Sequence, residues 1–111
     1  MKKQEVNTEK QNLVEIHNST ITNPAFPMKD ILGIWAEDLS GPHADFELTE
    51  SYFYVVDYDG NGHMPYEINT NKIKIYFPDS EQMGLIKKAK NDSLVIYCAN
   101  GEFTTYLRWT K

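Results

Sequence analysis

From Leu32 onward the chain alternates between apolar and polar positions in short runs. The clearest is KIKIYF, where Ile73, Ile75 and Phe77 alternate with Lys72, Lys74 and Tyr76. That pattern predicts a strand with one dry and one wet face. ADFELTES repeats it, with Phe46 and Leu48 opposite Glu47 and Thr49, and PYEINTN places Tyr66 and Ile68 on one face. LGIWAED opens the series, YFYVVDY is rich in β-branched and aromatic residues, and LVIYCA reads as a buried strand before FTTYLRWTK closes the chain. EQMGLIKKAK is less regular. Turn signals (GPH, DGNG, PDS, NDS, NGE) separate the runs at about eight to twelve residues, the spacing of an antiparallel sandwich or barrel.

No stretch after residue 33 carries helical periodicity, and every connection is hairpin-sized. The pattern therefore predicts an all-β domain over residues 24–111. Its expected form is an up-and-down antiparallel eight-stranded barrel, because closure removes exposed sheet edges. Two prolines in NPAFPMKDILG predict an irregular entry, with one short helical turn near Lys29 and Asp30 before the first strand. Residues 1–23 are polar, with weak helical spacing at Val6, Leu13 and Ile16, and read as a flexible or loosely docked tail. Such a stretch also suits a membrane tether upstream of residue 1.

Composition narrows the function classes. The 111 residues point to one domain, with 41% hydrophobic and 24% charged residues, a globular balance. A net charge of −5 argues against a nucleic-acid partner, which needs a basic face to displace phosphate counterions. Lys87, Lys88 and Lys90 read as a solvated turn. Cys98 is the only cysteine, so no internal disulfide forms, and its apolar neighbours predict a buried, inert thiol. No apolar run approaches the roughly 20 residues of a membrane span, and no signal-peptide core follows Met1.

DYDGNGHMPYE poses the sharpest chemical question. Asp57, Asp59, Asn61 and Gly62 sit where an EF-hand loop places calcium ligands and its glycine. The twelfth position is Ile68 instead of glutamate, Pro65 interrupts the loop, and the upstream flank is β-prone. Asp-Gly and Asn-Gly supply the positive φ of a tight turn, which is the expected role. His17, His43 and His63 lack the spacing of a metal site and read as surface residues. No nucleophile elbow, phosphate loop or opposed carboxylate pair is legible, so neither an enzyme nor a cofactor is expected.

The aromatic pattern is more informative. Gly33 and Trp35 open the first strand and Arg108 lies near the end of the last, which a closed meander makes neighbours. Arg108 or Trp109 can then reach Trp35, and an Arg108–Trp35 cation–π pair would plug one barrel end. The alternation in FTTYLRW competes with this, because it sets Phe103, Leu107 and Trp109 on one face and Arg108 on the other.

A turn leading into Gly-X-Trp, with a late arginine, resembles the lipocalin pattern at Gly33, Trp35 and Arg108. Residues 30–111 look like the small lipocalin-like domains of Bacteroidetes cell-envelope proteins. That resemblance implies a cell-envelope location and a barrel that takes a small apolar ligand at its open end. The expected inward groups are Trp35, Phe46, Phe53, Tyr66, Ile75, Phe77, Ile96 and Phe103, with Gly33, Trp35 and Arg108 closing the other end. The strands are short for a lipocalin, so a second reading stands beside the first. In it the barrel is filled by its own side chains and serves as a structural or protein-interaction domain, meeting partners through tyrosines such as Tyr54, Tyr76 and Tyr97.

Overall fold

The chain's structure was obtained as a computed structural model, which describes residues 18–110. Ten strands form one mixed sheet curled into a half-barrel. They are β1 (Thr20–Thr22), β2 (Gly33–Ala36), β3 (Phe46–Leu48), β4 (Phe53–Val55), β5 (His63–Met64), β6 (Tyr66–Asn69), β7 (Lys72–Tyr76), β8 (Glu81–Lys90), β9 (Ser93–Cys98) and β10 (Phe103–Arg108). The sole helical element among the described residues is a 3-10 turn, Met28–Asp30, at the expected place before β2.

The order across the sheet is β1-β6-β7-β8-β9-β10-β2-β3-β4-β5. From β2 to β5 and from β6 to β10 consecutive strands pair antiparallel, and β10 returns to β2 with Arg108 opposite Trp35. Two features depart from the expected all-antiparallel, eight-stranded form. Thr20–Thr22, inside the stretch read as a tail, pair in parallel with β6, and Ile21 packs against the core. Three β-prone residues held beside the free edge of β6, whose other side pairs with β7, account for this. The second is a break at Pro65, which has no N–H for the ladder. Before it, β5 pairs with β4; after it, β6 pairs with β7 and β1. The weak helical spacing at Val6, Leu13 and Ile16 lies outside the described residues.

β8 is the longest strand, although its sequence alternates poorly. The reason is a bulge: Ile86 pairs with Ile96, but Lys88 pairs with Val95, so Lys87 is an extra residue. Ile86 and Ala89 consequently both face inward despite a spacing of three. Lys87, Lys88 and Lys90 thus lie exposed on a strand, where a turn was expected.

The core is built from inner-face positions. Trp35, Tyr66 and Ile68 are fully buried, as is Ile31 from the turn before β2, with Leu48, Ile86 and Leu94 nearly so. Each such aliphatic or aromatic group contributes about 1.5–3 kcal/mol on leaving water. Tyr66 satisfies its hydroxyl by donating to the Thr49 carbonyl at 2.6 Å.

Candidate functional site

An apolar cavity of about 110 Å³ lies inside the curl of the sheet. Alternation supplies its walls. Phe46 and Phe53 come from β3 and β4, Ile73 and Ile75 from β7, Ile96 from β9 and Tyr106 from β10. Ile31 bounds it at one end, while Gln82, Gly84 and Cys98 line it toward the other. Phe46 holds the aromatic wall in place, stacked on Phe53 at 4.6 Å between centroids and met edge-on by Tyr106 at 4.9 Å.

Gly84 is a steric requirement of this wall. A Cβ there would come within 2.7 Å of Ile96 Cγ2, so glycine lets Ile96 lie across β8. Tyr106 is the distinctive polar group of the lining. Burial raises its pKa to about 12, with smaller contributions from Cys98, Glu37 and Asp45. Its hydroxyl takes part in no hydrogen bond with the described residues.

The end near Ile31 is closed by a second constellation. The Arg108 guanidinium lies 4.4 Å from the Trp35 ring centre. It also donates to the carbonyls of Leu32 at 3.0 Å and Lys29 at 3.3 Å, and Nε donates to the Asn91 carbonyl. Trp35 Nε1 donates to the Ile31 carbonyl at 2.9 Å. Arg108 and Trp35 therefore tie the turn before β2 across the sheet. Gly33 has φ +140°, and a Cβ there would overlap Arg108 Nη1. Both facts demand glycine.

The expected inward residues separate into three groups. Phe46, Phe53, Ile75 and Ile96 line the cavity together. Trp35 and Tyr66 are buried in the core and are not part of the cavity lining. Phe77 and Phe103 are corrections. Phe77 lies beyond β7, in a turn closed by its N–H donating to the Ser80 carbonyl, and does not line the cavity. Phe103 is 61% exposed on the outer face, because Arg108 and Tyr106 take the inner positions of β10 and the alternation sends Phe103 outward. Cys98 is half-buried at the cavity edge, where full burial was expected, because it ends β9 beside a turn. Among the lining residues that sequence reasoning missed are Ile31, Gly84, Ile86, Leu94 and Tyr106. For Tyr106 a signal existed, since placing Arg108 inward also places Tyr106 inward.

The DYDGNG segment joins two strands, β4 and β5, and has no flanking helices. Asp57 takes φ +66° and Gly60 φ +111°, the backbone geometry of a turn. Among the described residues no three His, Cys, Asp or Glu side chains converge as a metal site would require. His43 contacts Asp57 at 3.7 Å, whereas His63 packs between Tyr52 and Tyr54; His17 lies outside the described residues. No family model, curated protein or solved structure gives a significant match to this chain.

Proposed function

We propose that the protein is a non-enzymatic, lipocalin-like binding module that holds a small, neutral, apolar molecule in the cavity between Phe46, Phe53, Ile73, Ile75 and Ile96. The observation that carries this reading is the cavity itself. An apolar cavity of roughly 150 Å³ stays dry and accepts benzene, so about 110 Å³ suits a ligand of comparable or slightly smaller size. Longer ligands would require the Gln82 and Cys98 end to open.

Three features support the lipocalin-like form. Reading β5 and β6 as one strand broken at Pro65 gives eight strands in meander order, with the last beside the first. Gly33, Trp35 and Arg108 meet at one end. The cavity reaches toward the opposite end. Ligand polarity follows from Tyr106, whose hydroxyl, without a hydrogen bond among the described residues, provides one orienting hydrogen bond. Glu37 and Asp45 act on Tyr106 electrostatically, which disfavours a carboxylate ligand there. The rival reading, a structural or interaction domain with a filled barrel, calls for an interior with no such space, and the cavity weighs against it.

Native mass spectrometry of the freshly purified chain, followed by a thermal-shift series with benzene, phenol and benzoate, tests the reading. Stabilisation in the order phenol, benzene, benzoate is expected. Equal, negligible shifts from all three would refute it.

A further inference from the structure

The outer face of the same sheet carries a second pattern, which shares only Met83 with the cavity lining. Cross-strand partners share a face, so the registers assign each outer side chain. Lys72 pairs with Leu85, Leu85 with Tyr97, and Tyr97 with Phe103, making one row across four strands. Lys74 and Met83 form the next row, and Lys88 and Val95 another. Between these rows lie the inner pairs Ile73–Gly84 and Ile86–Ile96, which confirms the facing.

The outer face is both basic and apolar. Five of the seven Lys and Arg residues in the described chain sit on β7 and β8: Lys72, Lys74, Lys87, Lys88 and Lys90. Lys74 is 3.9 Å from Glu81, and the other four form no ion pair among the described residues. Among them protrude Phe103 at 61%, Met83 at 47% and Leu85 at 36% exposure. A shallow apolar hollow lies between Met83, Leu85, Tyr97 and Ala99, with Lys72 at its rim. The opposite charge is gathered elsewhere: residues 37–59 hold seven carboxylates and no Lys or Arg. A chain of net charge −5 thus presents one cationic face.

We infer that the outer face of β7–β10 docks on an anionic lipid surface, with the lysines on the headgroups and Phe103, Met83 and Leu85 entering the interface. Charge complementarity selects an anionic partner, since the carboxylates of residues 37–59 belong to β3, β4 and their loops, beyond β10 and β2 in the sheet order. The backbone selects a surface over a peptide. β7 to β10 are all paired on both sides, so no strand edge is free on this face for an incoming chain to extend. Side chains that protrude singly from an outward-curving face fit a fluid interface better than a rigid partner. Glu67 pairs with Lys74 in the same row and Glu81 lies 3.9 Å from Lys74, while Asp92 and Glu102 sit in the flanking turns, so the cationic area is carried by Lys72, Lys87, Lys88 and Lys90.

Vesicle co-sedimentation of the 111-residue chain tests this directly. Binding is expected to phosphatidylcholine vesicles containing phosphatidylserine, with none to phosphatidylcholine alone and loss at high salt. Replacing Lys87, Lys88 and Lys90 together by Gln is expected to weaken binding on the order of a hundredfold, and Phe103→Ser about tenfold. Circular dichroism and benzene binding of both variants are expected to match the parent. Failure of the folded parent to bind the anionic vesicles overturns the proposal. So does binding that Phe103→Ser leaves unchanged and that soluble polyglutamate reproduces, since that pattern marks a simple polyanion contact. Sedimentation velocity supplies a third arm: a monomer is expected, and a dimer abolished by Phe103→Ser would assign the face to a second copy instead.

Discussion

The Arg108 guanidinium lies 4.4 Å from the centre of the Trp35 ring, a fully buried indole. This contact joins β10 to β2 and fastens the turn that bounds the cavity. Its strength comes from several weak terms acting on one planar group. A desolvated cation–π contact is worth about 2 kcal/mol, and each hydrogen bond from the guanidinium to a carbonyl adds about 1 kcal/mol. Arg108→Met is therefore expected to lower stability by about 2–4 kcal/mol in urea denaturation. Arg108→Lys is expected to recover less than half, because an ammonium cannot reproduce the fork over three carbonyls.

Gly33 belongs to the same unit, and its dependence on Arg108 is separable. Gly33→Ala suffers both from φ +140° and from overlap with Arg108 Nη1. The backbone part costs about 1–3 kcal/mol, and the overlap adds to it. In an Arg108→Ala background only the backbone part remains. A double-mutant cycle is expected to show a coupling of about 1 kcal/mol or more, whereas additive effects would mean the two residues do not touch.

Alkaline stability reports on two buried hydroxyls. Burial raises both Tyr66 and Tyr106 to about 12, above the ordinary value of 10. Between those values the unfolded chain releases protons that the folded chain retains, so unfolding is favoured as pH rises. Stability from both groups is complete below pH 10 and is lost progressively toward pH 12. The urea midpoint is expected to fall steeply across that window. Tyr106→Phe is expected to flatten the fall with little change at neutral pH, because its hydroxyl has no partner among the described residues to lose. Tyr66→Phe flattens it as well, but also loses the bond to the Thr49 carbonyl, about 1 kcal/mol at any pH.

How much of this was legible in the sequence depended on whether the chemistry was local. KIKIYF announces its two faces, and β7 puts Ile73 and Ile75 inward as read. The same rule failed on β8, because the extra residue Lys87 shifts the period and hides the partnership of Ile86 and Ala89. At the end of the chain the alternation set Phe103, Leu107 and Trp109 on one face and Phe103 was read as inward, while a contact between Arg108 and Trp35 argued for the opposite phase. The constraint from Trp35 wins, and Phe103 goes outside. β1 was unreadable for a different reason: its partner, β6, lies more than forty residues away and runs parallel. Gly84 shows the same limit, since its need for glycine is set by Ile96 on the neighbouring strand.

Enlarging the cavity separates packing from binding. Ile86 is 1% exposed and lines the cavity wall. Ile86→Ala is expected to cost about 2–5 kcal/mol, while the added space admits a bicyclic ligand such as naphthalene. Naphthalene is expected to raise the melting temperature of Ile86→Ala and to leave the parent unchanged. Equal responses would place the ligand elsewhere.

The most direct measurement is a methyl-resolved NMR titration of the whole chain with benzene. Saturable shifts confined to the methyls of Ile73, Ile75, Ile86 and Ile96, and abolished by a cavity-filling Ile96→Phe that keeps the fold, are the predicted result. Undisturbed inner methyls in the folded protein, or shifts that persist unchanged in Ile96→Phe, would contradict an interior binding site.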